Sequence, residues 1–97
     1  MSDAAESLEM FVEFESATGS LAFTLNRVVS GAGETRFDSH EAAAAHPLAR
    51  KLMEIDGVRL VVLAAAAVRL ACDPEEDLEE VAARAELVLR HYFSNDN

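Results

Sequence analysis

Cysteine, cationic side chains and long apolar runs are all scarce in this 97-residue sequence, and each scarcity removes a class of function. The one cysteine, Cys72, has no partner for an internal disulfide and falls short of the three or four thiolates that a metal cluster takes from a single chain. Eight Lys and Arg stand against 18 Asp and Glu, a formal net charge of −10, and the eight are scattered rather than gathered into a stripe. Phosphate backbones and anionic lipid heads are repelled by such a chain, so neither nucleic acid nor a membrane surface is expected as a partner. The longest uninterrupted apolar run, Leu60 to Val68, lies between Arg59 and Arg69 and is far short of the ~20 residues that cross a bilayer. The start, Met1-Ser2-Asp3-Ala4-Ala5-Glu6, is acidic where a signal peptide is basic, which leads us to expect a cytoplasmic protein. No Ser-His-Asp order, glycine-rich phosphate loop or isolated carboxylate pair is readable, and no enzyme is expected.

What is present is apolar content of 51%, sufficient for one modest core. We read a flexible acidic leader over 1–8, one domain over 9–94 and a frayed end over 95–97. Met10, Val12 and Phe14 alternate with Phe11, Glu13 and Glu15, which predicts a half-buried strand. A turn over Ser16–Ser20 leads to a second alternation from Leu21 to about Val29, hence a hairpin. A loop with Gly31 and Gly33 comes next, then Phe37 as a core anchor. Asp38-Ser39-His40-Glu41 reads as a capping box with Asp38 as the cap, and Pro47 predicts a break near His46 and a second helix from Pro47 to about Ile55, ended at Gly57. Val58–Leu63 and Val68–Cys72 predict a second hairpin across four alanines. Asp73-Pro74-Glu75-Glu76 then predicts the start of a long helix from Pro74 to about Phe93, with Leu78, Val81, Ala82, Ala85 and Leu89 on one stripe. The expected fold is α+β and two-layered: a four-stranded antiparallel sheet, in the order β-β-α(α)-β-β-α, with helices on one face.

Particular residues inside that order resemble the N-terminal domain of the Nfu/NifU-like iron–sulfur scaffold family. Leu21-Ala22-Phe23 through Asn26-Arg27 resembles its second strand. Phe37-Asp38-Ser39 with Glu41-Ala42 resembles its first helix start, Pro47-Leu48-Ala49-Arg50 its Ser-Pro-Leu-Ala turn, and Ile55-Asp56-Gly57-Val58 its step into the third strand. The family's Thr-Pro-Asn-Pro-Asn loop is replaced by Glu15-Ser16-Ala17-Thr18-Gly19, and its tryptophan at the last helix by Leu78. The separate Cys-x-x-Cys domain through which such proteins hold clusters has no counterpart in these 97 residues. The resemblance implies a stand-alone accessory module that contacts iron–sulfur scaffold or recipient proteins. It implies no catalytic residue and no cofactor bound by this chain alone, with iron or a cluster entering only through the family.

Metal chemistry has three candidate residues. Cys72 supplies one ligand to a cluster shared by two copies, or is a small buried thiol on the face of Val68 and Leu70; the alternation favours the second reading. His40 and His46, with Glu41, offer metal-ligand types, yet a six-residue interval is not a one-face helical spacing, and exposed histidines at helix ends are the plainer reading. The acidic run Asp73, Glu75–Asp77, Glu79 and Glu80 lacks the spacing of a calcium loop and suits a solvated helix start, and His91 suits a helix C-terminus. On the third strand Val58, Leu60 and Val62 alternate with Val61 and Leu63, and Phe11 points opposite Met10 and Val12. Both sheet faces therefore read as partly apolar, and Phe11, Val61 and Leu63 form the expected partner surface or homodimer seam, unless the leader or a loop covers them. The expected function is a non-catalytic interaction module related to cluster assembly or delivery. The alternatives are a metal- or cluster-binding homodimer using Cys72 or the histidines, and a small adaptor unrelated to clusters.

Overall fold

The computed structural model describes residues 8–15, 17–29 and 33–94, so residues 1–7 of the leader and the 95–97 end lie outside it. The first alternating run forms β1 (Met10–Glu15), which pairs antiparallel with β2 (Ser20–Leu25) in the register Met10↔Leu25 to Glu15↔Ser20. Gly19 closes the turn at φ +70, and its carbonyl accepts from the Cys72 amide at 2.8 Å, tying the hairpin to the far end of the sheet. Strand β2 ends at Leu25 rather than near Val29. The amides of Leu25 and Val29 donate to the carbonyls of Ala66 and Ala65 at 2.8 and 2.7 Å, so the chain leaves the ladder to wrap the alanine turn.

The next element is a strand unforeseen in the sequence. β3 (Thr35–Phe37) is three residues long, too short for an alternation to be legible, and pairs with the strand that begins at Val58. The sheet therefore has five strands, not four. Ser39, not Asp38, caps α1 (His40–Ala43): its hydroxyl accepts from the Ala42 amide at 3.0 Å. His46 caps α2 (Pro47–Met53) through Nδ1, which accepts from the Ala49 amide, and Pro47 takes the first turn as expected. Gly57, at φ +92, turns the chain into β4 (Val58–Leu63); the alanine turn, closed by Ala64 N–H to Ala67 C=O at 2.9 Å, leads into β5 (Ala67–Cys72).

The last helix, α3 (Leu78–Ser94), starts four residues later than predicted. Pro74 fits a turn as readily as a helix start, and here the Glu76 amide closes a turn on the Asp73 carbonyl at 3.0 Å. Asp77 then caps α3, its Oδ1 accepting from the Glu79 amide at 3.1 Å.

The sheet order is β1-β2-β5-β4-β3, with every neighbouring pair antiparallel. Its register puts Phe14, Leu21, Leu70, Val61 and Phe37 in one cross-strand row, and Val12, Phe23, Val68, Leu63 and Thr35 in the next. The inner members of these rows are buried together with Leu48 and Leu52 of α2 and Val81, Ala85 and Leu89 of α3. The helices thus cover the face that carries Val61 and Leu63. Burying each such aliphatic side chain stabilises the fold by roughly 1.5–3 kcal/mol.

Candidate functional site: an uncovered sheet edge

The residues singled out for metal chemistry do not converge. Cys72 is 6% exposed and belongs to the core cluster, opposite Val58 in the β4–β5 ladder. Burial pushes its thiol pKa up, and the carboxylates of Glu76 and Asp73 push it the same way. A thiol so placed is held in its protonated, poorly nucleophilic and poorly ligating form. His40 is exposed at the start of α1, whereas His46 is half-buried, its ring tilted against Phe37 at 5.5 Å between centroids and its Nδ1 occupied by the cap of α2. Among the described residues no three His, Cys, Asp or Glu side chains are grouped to hold a metal ion.

The predicted partner surface divides. Phe11 is 73% exposed, but Val61 and Leu63 are wholly buried beneath the helices. The cause is the break at Arg59, where the register jumps from Val58↔Cys72 to Leu60↔Ala71. That bulge puts Val58 on the same side as Val61 and Leu63 and leaves Leu60 and Val62 on the opposite, open face. Val62 is nonetheless only 6% exposed, in the row between Arg36 and Arg69. Arg59 itself ion-pairs with Asp73 across the end of the hairpin.

Sequence reasoning missed Val12 and Phe14. Both alternate correctly onto the helix side, yet they remain 38% and 47% exposed, because β1 is the outermost strand and the helices stop short of it. Strand order was the missing information: the alternation of a single strand says which side a residue faces and nothing about whether anything lies over it. Beside Phe14, a depression of about 410 Å³ is lined by Gly19, Pro74, Leu78 and neighbouring acids. On the open face the small side chains of Ser20, Ala22 and Thr24 leave a trough of about 910 Å³ running from Glu13 and Glu15 to Arg69. A further groove of about 650 Å³ lies between α2 and α3 at Lys51, Glu54 and the exposed Leu87.

The backbone of β1 is open along its outer side. Residues that exchange hydrogen bonds with the neighbouring strand alternate in an antiparallel ladder. The Glu9 carbonyl accepts from Asn26 at 3.1 Å and the Leu25 amide donates away from β1, to Ala66. The odd-numbered residues of β1 are thereby turned toward β2, and Met10, Val12 and Phe14 present their N–H and C=O groups outward. Among the described residues no strand pairs with them.

Comparison with known proteins gives the fold a context. The structure is similar to a NifU-like protein from Saccharomyces cerevisiae, with a TM-score of 0.74 at 9% identity, over 92% of this chain and 79% of that one. It is also similar to the protein SAV1430 from Staphylococcus aureus, with a TM-score of 0.69 at 11% identity, over 84% of this chain and 98% of that one. No protein-family model matches the sequence, and no curated protein matches it either. At such identities the likeness establishes a NifU-like fold: an α+β domain built on an antiparallel sheet with helices.

Proposed function

We propose that this chain is a non-catalytic protein-interaction module that works beside iron–sulfur cluster assembly or delivery in the cytoplasm, contacting scaffold or recipient proteins and holding no cluster by itself. The observation that carries the reading is the NifU-like fold, shared with the yeast NifU-like protein over 92% of the chain. Three features support its non-catalytic, partner-binding half. Among the described residues no polar or charged side chain is buried, whereas catalytic centres characteristically bury titratable groups to tune them. The lone thiol is packed into the core. Exposed aromatic residues stand on a sheet edge, where protein contacts form.

The test has two arms. The immobilised chain is exposed to cell extract, and the retained proteins are identified by mass spectrometry. Retention of an iron–sulfur scaffold or recipient is the expected result, and a partner set with no such protein overturns the connection to clusters. In parallel the purified chain is incubated anaerobically with iron and sulfide and passed over a sizing column. A colourless product is expected. A coloured dimer that loses its colour on Cys72→Ser would make the chain a cluster-holding protein instead.

A further inference from the structure

Resting on the interaction-module reading, we infer that β1 is a docking strand that takes an extended segment of a partner protein, antiparallel, in which apolar residues alternate with Lys or Arg. Main-chain bonds to an exposed edge supply affinity in this mode of recognition, and alternate side chains supply specificity. The open edge is built for both. Met10, Val12 and Phe14 turn their backbone groups outward, and their side chains lie on the helix side, half-covered and apolar. A segment pairing there places its residues opposite these three on the same side, where apolar side chains complete a sheet face that the helices leave bare.

The intervening residues face Phe11, Glu13 and Glu15 on the other side. Lys or Arg opposite Glu13 and Glu15 forms cross-strand ion pairs, and opposite Phe11 it lies over an aromatic ring that is 73% exposed. The preference for a cationic partner over a second copy of the chain is electrostatic. Two copies bring together formal charges of −10 each. The self-pairings that keep matching faces together centre either on Val12, with Glu13 opposite Phe11, or on Glu13, with like charges directly opposed. The glutamates that guard this edge against an acidic copy are the groups that admit a basic strand. At the opposite edge β3 is three residues long and carries Arg36, so it offers neither length nor negative charge.

The probe is a synthetic peptide of about nine residues, the reach of one strand, alternating valine and lysine; its control has glutamate for lysine. Titrated into the ¹⁵N-labelled chain, the lysine peptide is expected to shift the amides of β1 and β2 and to slow hydrogen exchange at Met10, Val12 and Phe14. Its affinity should fall about tenfold or more in about 1 M salt, where the Debye length is about 3 Å. Val12→Pro removes an outward N–H that β2 does not use, and proline is tolerated on edge strands, so binding should drop about tenfold or more with the fold intact. Glu13→Lys with Glu15→Lys leaves the backbone untouched and should transfer the preference to the glutamate peptide. Shifts centred on the α2–α3 groove, unaltered exchange at the three amides, or equal binding of both peptides would overturn the proposal. So would a dimer of the chain alone that protects β1. If a cluster protein is retained equally by the parent and by Val12→Pro, the docking strand is wrong and the functional reading stands. If the lysine peptide docks on β1 but no cluster protein is retained, the reverse holds.

Discussion

The side chain of Glu76 lies across the bare α-carbon of Gly57, in the space a β-carbon would occupy, so the turn before α3 rests directly on the turn before β4. Gly57 also sits at φ +92, a backbone region that L side chains rarely adopt. The two effects are separable, because Glu76 is the flexible end of an exposed side chain and can swing away. Gly57→Ala is expected to destabilise the protein by about 1–2 kcal/mol, the cost of a positive φ. Adding Glu76→Ala should recover little of it. Urea midpoints of the single and double variants decide: full recovery would mean that crowding, not backbone conformation, sets the glycine.

Cys72 makes the fold sensitive to alkali. Its thiol pKa is raised in the native state by burial, then by Glu76 and Asp73, so the native chain holds the thiol proton more tightly than the unfolded chain. The associated stability is fully present below the unfolded thiol pKa, about 8.5, and is lost as pH rises from there through the raised native value. Unfolding free energy should therefore decline above that pH more steeply in the parent than in Cys72→Ala. Iodoacetamide should label the native thiol at least about tenfold more slowly than the urea-unfolded one. Equal labelling rates would show an accessible thiol and reopen its use as a ligand.

The caps provide a residue-by-residue check of the helix starts. Ser39→Ala and Asp77→Ala each remove a side-chain oxygen that accepts a first-turn amide, and each is expected to cost about 0.5–2 kcal/mol. Asp38→Ala should cost less than about 0.5 kcal/mol, since Asp38 is exposed and the cap of α1 belongs to its neighbour. A larger loss at Asp38 than at Ser39 in thermal unfolding would restore the capping box as read from the sequence.

These caps illustrate what was legible. Both hairpins, the break at Pro47 and the glycine turn at Gly57 were readable, because alternation, a missing amide hydrogen and a positive φ each leave a local mark. Asp38 and Ser39 are adjacent residues with equal capping chemistry, so the choice between them waits on the direction from which the chain arrives. Pro47 does start a helix and Pro74 a turn, and the difference is set by the residues downstream of Pro74, where Asp77 offers a second cap. The candidate edge was half legible. Phe11 was recognised as facing away from its neighbours, but Val12 and Phe14 looked like core, since no local pattern reveals that β1 ends at the margin of the sheet. Val61 and Leu63 were assigned to the wrong side because a bulge at Arg59 reverses the phase of β4 without any glycine or proline to announce it.

Leu63 and Phe11 supply the sharpest contrast, since both were read as one partner surface and the fold separates them. Leu63 packs in the row of Phe23 and Val68 under the helices, so Leu63→Ala removes buried methyl groups and leaves a cavity. A loss of about 2–5 kcal/mol is expected, enough to threaten a marginally stable domain of this size. Phe11 stands on the outermost strand, and Phe11→Ser should change stability by no more than about 0.5 kcal/mol while weakening any contact made through the β1 edge. The two variants thus act on different quantities: one moves the urea midpoint, the other moves binding at an unchanged midpoint. If Phe11→Ser unfolded the protein as readily as Leu63→Ala, the outer face of β1 would be part of the core and unavailable to a partner.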